Sequence, residues 1–190
     1  MIFYGILVVC ILLVLCYKYY TNTRTYTVSS TDSKKYITVS GDQQFTQESA
    51  NVFANINSRI LLLIEYLSKN DANNNIVQRL KYKYNNITDF IQEAIIDSDN
   101  TTYTIDKQEI HVCIRSRDAE KKIYDINLLM YVIIHELAHI CNDTVGHDTN
   151  FINIFKYLLT KAIECNVYTY ENYRQAPKEY CGITINSQVL

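Results

Sequence analysis

The chain has 190 residues and a formal net charge of −2, from 18 Lys and Arg against 20 Asp and Glu. That balance excludes the basic footprint of a nucleic-acid-binding domain. Less an apolar leader and the stalk behind it, the length leaves about 150 residues, enough for one domain with a sizeable core. Six cysteines lack the paired spacing of a zinc ribbon and read as small buried hydrophobes, with Cys10 and Cys16 in the leader.

Residues 2–17 carry no charge and are dominated by Ile, Leu, Val, Phe and Cys. As a helix this run reaches about 24 Å, near the lower limit for a bilayer core. Lys18, Tyr17, Tyr19 and Tyr20 suit the membrane interface. No Lys or Arg precedes the run and no small-x-small cleavage site follows it. Residues 1–20 are therefore expected to form a retained transmembrane anchor that meets the lipid bilayer through residues 2–20. Lys18, Arg24, Lys34 and Lys35 all follow the anchor, so the positive-inside rule puts the rest of the chain on the cytosolic side. The sequons at Asn86, Asn100 and Asn142 accord with this, since a glycan on Asn142 would stand between two candidate metal ligands.

Residues 21–42 read as a polar stalk with strand-like pieces at 25–29 and 36–39. From 44 to 68, Ala50, Phe53, Ile56, Ile60, Leu63, Ile64 and Leu67 recur at helical spacing. The run of Asp, Ala and Asn at 71–75 ends that helix. A shorter helix follows over 76–84, and 88–96 fits either helix or strand. Residues 102–105 and 109–115 predict a hairpin around Asp106, Lys107 and Gln108. His111 is expected on the strand's surface and Lys107 as a solvated charge.

Residues 125–142 predict a helix that starts from an Asp125 N-cap and an apolar run over 128–134. On it stands His135-Glu136-Leu137-Ala138-His139. Histidines four apart share one helix face and can grip one metal ion. Glu136 lies one step round, where it can take a proton from activated water without being a ligand. Residues 142–146 break the helix, and Gly146, free to adopt positive φ, lets the chain fold back to deliver His147. The chain holds four histidines and three are here. The metzincin spacing would need Gly at 142 and His at 145, where this chain has Asn142 and Val145. Glu164, on a helix predicted over 148–166, is the rival third ligand. Asp148 caps that helix or hydrogen-bonds a ligand histidine. Phe151, Ile154, Phe155 and Leu158 form its core stripe. Tyr173 and Tyr180 are candidates for polarising an oxyanion.

The histidine constellation, with Thr149, Asn150 and Phe151 behind it, resembles the WLM and SprT-like zinc metallopeptidases. Their pattern is HELxH, a short loop, then a histidine followed shortly by Phe. Residues 102–115 resemble the β-hairpin that precedes the active helix there. Residues 173–182 resemble the end of short WLM-like proteins encoded by large DNA viruses. The likeness covers 86–190. It implies Zn²⁺ held by His135, His139 and His147, with Glu136 as the base.

The expectation is thus an α+β, zincin-like metallopeptidase domain over 43–190, behind a transmembrane helix. Its reaction would be peptide-bond hydrolysis on a protein or peptide substrate, with strand 109–115 pairing with the extended substrate by β-augmentation. The alternative is a structural role, as a viral membrane or minor capsid anchor on an internal virion membrane. Such a protein would keep the fold and bind capsid or other virion proteins. No nucleic-acid partner is expected.

Overall fold

The computed structural model describes residues 2–21, 23–39, 41–86, 89–95, 101–187 and 189–190. The architecture is α+β. The order is α1 (Ile2–Thr21), β1 (Arg24–Val28), β2 (Lys35–Val39), α2 (Gln43–Asn70), α3 (Asn75–Asn86), β3 (Ile91–Glu93), β4 (Tyr103–Ile105) and β5 (Glu109–Val112). There follow α4 (Ile126–Cys141), α5 (Thr149–Glu164), β6 (Lys178–Tyr180) and β7 (Ile183–Ile185).

Among the described residues, a mixed five-stranded sheet runs β1-β2-β3-β5-β4. β2 and β3 pair in parallel, as do β3 and β5, while β1 and β4 are antiparallel edges. Residues 24–39, expected in a stalk, are therefore the sheet's first hairpin. Helix α2 lies over β1, β2 and β3, and α4 over β4 and β5. Ile91, Glu93, Ile110 and Val112 point into the helical layer and are buried. Thr104 stands directly opposite Ile110 across the β4–β5 ladder, so it faces the same way.

The long α2 presents Phe53, Ile56, Ile60, Leu63 and Leu67 to the core, all fully buried. Asp42 caps its start by accepting from the Gln44 N–H at 2.7 Å. Helix α4 is enclosed by α2, α3, α5 and the sheet, which explains why it is apolar nearly all round. Asp125 caps it through Asn127 N–H at 2.9 Å. At β5's end, Cys113 is joined to Cys181 by a disulfide. The reading of these two cysteines as free buried thiols is corrected. Both are buried as expected, but they are 68 residues apart and only the folded chain brings them together.

The N-terminal anchor also requires correction. No helix among the described residues is long and apolar enough to cross a membrane. The transmembrane helix, its bilayer contact through residues 2–20 and the cytosolic placement drawn from its flanking charges therefore fall. The interfacial side chains of Lys18, Tyr19 and Tyr20, and the sequon at Asn100, lie outside the described residues.

Candidate metal centre

His135 and His139 leave α4 on one face, as their spacing requires. The helix stops at Asn142, whose backbone is extended (φ −80°, ψ 140°). Gly146 then takes a φ of +89°, where no neighbour would meet an added Cβ. Glycine is needed there for its backbone freedom rather than for space. The turn brings His147 back over the helix. The Nε2 atoms of His135 and His139 are 3.2 Å apart, those of His139 and His147 3.1 Å, and those of His147 and His135 3.0 Å.

Three nitrogens meeting so closely pose an electrostatic problem, because neutral imidazoles would turn lone pairs toward one another. A cation at the convergence point resolves it. Tetrahedral zinc with Zn–N bonds of about 2.0–2.1 Å sets its ligand nitrogens roughly 3.3 Å apart. The observed triangle fits that ion closely. Two of the three imidazoles are also held toward the neutral form that a metal requires. Burial, reinforced by His139 and His147, holds His135 down at about 3. Burial, with His147 and Lys107, holds His139 at about 4.

Glu136 is 5 % exposed. Burial lifts its carboxyl to about 7, against the opposing pull of the Thr104 hydroxyl. That hydroxyl donates to Glu136 Oε2 at 2.7 Å and fixes the carboxylate beside the triad. Phe151 lies under all three imidazoles, with ring centroids 4.9 Å from His135, 4.2 Å from His139 and 4.7 Å from His147. From the residues alone it was expected as core, and the resemblance marked it as the Phe that follows the third histidine. Its place four residues beyond His147, on the first turn of α5, is the signal that could have singled it out.

The loop between the second and third histidines is held by its own polar residues. Asn142 is buried; its amide donates to Asp148 Oδ1 at 3.2 Å and to Thr144 Oγ1 at 3.0 Å, and its carbonyl oxygen accepts from Asn150 at 2.6 Å. A glycan has no access to that amide. Asp148 serves as a cap, accepting from the Phe151 N–H at 2.8 Å. Glu164 lies exposed at the far end of α5, paired with Lys161 and Tyr66, and takes no part.

Other expectations are revised by what the sheet covers. His111 is buried rather than on the surface, stacked 4.8 Å from Tyr103. Tyr180 is fully buried, with its hydroxyl donating to the Cys113 carbonyl at 2.8 Å, and Tyr173 is fully buried as well. Neither presents a free hydroxyl to the triad. Strand β5 is interior, bonded on both sides, and the free edge beside the histidines belongs to β4. The triad and Glu136 open into a cleft of about 850 Å³, walled by β4, by Val132 and Val145, and by the C-terminal hairpin through Tyr180 and Ile183.

No family model and no solved structure matches the chain. It is 32% identical over 171 residues to uncharacterized protein R325 of Acanthamoeba polyphaga mimivirus, covering 87% of this chain and 84% of that protein. The chain belongs to the viral R325 family. Shorter stretches of the chain match proteins of iridescent viruses. Uncharacterized protein 042R of Invertebrate iridescent virus 3 is 39% identical over 88 residues, which is 46% of this chain and 54% of that protein. Uncharacterized protein 136R of Invertebrate iridescent virus 6 is 36% identical over 81 residues, which is 42% of this chain and 44% of that protein.

Proposed function

We propose that this viral protein is a zinc metallopeptidase of the WLM/SprT-like kind, hydrolysing peptide bonds in a protein or peptide substrate. The observation that carries the reading is the convergence of three histidine nitrogens within 3.2 Å of one another beside a buried glutamate. His135, His139 and His147 would hold the ion. When bound there, zinc supplies a Lewis acid that acidifies water and polarises a carbonyl.

The chain's own residues supply the rest. Glu136 accepts a proton from the attacking water and returns it to the departing amine. A carboxyl held near neutrality suits both halves of that exchange. Thr104 keeps Glu136 Oε2 occupied, which leaves Oε1 for the proton. An extended substrate backbone pairs with the free edge of β4, the strand that carries Thr104. Val132, Val145 and Ile183 on the cleft wall receive its apolar side chains and exclude water from the scissile bond.

The test is Glu136→Gln, scored on an unfolded protein substrate after zinc content has been checked. Glu136 is not a ligand, so zinc should be retained. Turnover should fall at least about a hundredfold, the usual scale for a general base. Equal cleavage by the two proteins refutes the reading.

A further inference from the structure

His135 and His139 are built into a buried helix, whereas His147 is exposed and hangs from a loop. A rigid triad therefore depends on what fixes residues 142–147. The last carbonyls of α4 lack partners inside the helix, and two cations from elsewhere in the fold take them. Arg79, from α3, donates to the Cys141 carbonyl at 2.6 Å and pairs with Asp143 at 2.6 Å. Lys107 reaches in from the β4–β5 turn; its ammonium donates to the Asn142 carbonyl and, at 2.9 Å, to the Thr144 carbonyl. The loop is thus clasped from two sides, and Lys107 is the clasp on the cleft side.

The backbone at this lysine adds weight. Lys107 has φ 55° and Asp106 φ 49°, the left-handed region where Gly or Asn carries less strain. The chain sets a lysine there, and the turn aims its side chain across the cleft wall at the ligand loop. Sequence alone read Lys107 as a solvated charge, since nothing local marks two carbonyls 35 and 37 residues away.

We infer that Lys107 is a positioning residue for the third metal ligand: it holds the 142–147 loop so that His147 meets His135 and His139 already in place. The inference rests on the three-histidine reading. Without the clasp, zinc must order the loop as it binds, and affinity falls. Groups that orient a metal ligand without touching the metal are worth about 10–100-fold in affinity.

The experiment is zinc titration of the full chain against a chelating competitor, for wild type, Lys107→Met, Lys107→Arg and His147→Ala. Lys107→Met should bind zinc at least about tenfold more weakly, while its metal-free unfolding midpoint matches wild type. Lys107→Arg keeps donors on a long arm and should recover most of the affinity. Wild-type affinity in Lys107→Met, with affinity lost in His147→Ala, overturns the positioning role and leaves the triad standing. Unchanged affinity in His147→Ala overturns the triad, and the role of Lys107 with it. If Lys107→Met does not fold, Lys107→Gln is titrated in its place, and wild-type affinity there overturns the proposal equally.

Discussion

Replacing both Cys113 and Cys181 with alanine removes the covalent tie between the end of β5 and the turn of the C-terminal hairpin. Alanine is the proper replacement because both sites are buried, and serine would bury an unpartnered hydroxyl. The bridge spans 68 residues. Loop-closure entropy for a ring of that size amounts to about 4 kcal/mol at 25 °C, a model-dependent figure. A domain of this length shifts its melting temperature by roughly 2–4 °C per kcal/mol, so a fall of about 10 °C is expected. Urea unfolding followed by circular dichroism, without reductant, measures the loss directly. The slope against urea should steepen, because an uncrosslinked denatured chain exposes more surface. Midpoints and slopes that coincide for wild type and the double variant would show that the bridge does not constrain the unfolded chain.

Elemental analysis of His139→Ala should find most of the zinc gone, and stoichiometric zinc in that variant would dismantle the triad. Thr104→Val removes the hydroxyl that opposes the burial of Glu136. The carboxyl should rise further above about 7, and the acidic limb of the rate profile should move up by roughly one pH unit; an unmoved limb contradicts the assignment of Glu136 as base. Burial raises the Glu93 carboxyl, against donation from the Val39 N–H and the Ser49 hydroxyl and the charge of Arg115. A carboxyl whose folded value is raised stabilises below its unfolded value and loses that stability as pH climbs through the folded one. Wild type should therefore lose urea resistance relative to Glu93→Gln as pH rises above the ordinary carboxylate range, and parallel curves would exclude the effect.

The convergence of the three histidines was legible because its geometry is local. Four-residue spacing on an apolar helix, a breaker and Gly146 fix the path from His135 to His147 without reference to the rest of the fold. The long helix α2 and the hairpin β4–β5 were legible for the same reason of period. What the sequence hid depends on distant partners. Residues 24–39 look like a polar stalk until β2 is seen to pair with β3, some fifty residues on. His111 reads as exposed until Tyr103 is seen stacked against its ring, and Thr104 and Lys107 have no local signature at all. Cysteine spacing does not state which thiols meet, and the bridge was missed on that account. The apolar leader was judged on its composition and the tyrosines and lysine beside it, whereas no helix among the described residues is long and apolar enough to cross a membrane.

Phe151 carries a consequence for which ions the centre would accept. One aromatic ring packs against all three imidazoles, whose nitrogens form a nearly equilateral triangle. Copper(II) generally outbids zinc for nitrogen donors, but it favours a square-planar arrangement, in which one pair of ligands stands on opposite sides of the ion, about 4 Å apart. No edge of this triangle exceeds 3.2 Å. To open one, an imidazole would have to shift against Phe151. Hard ions such as magnesium and calcium find no oxygen donor in the triangle. Selectivity would then reside in a residue that never meets the metal, and Phe151→Ala should relax it.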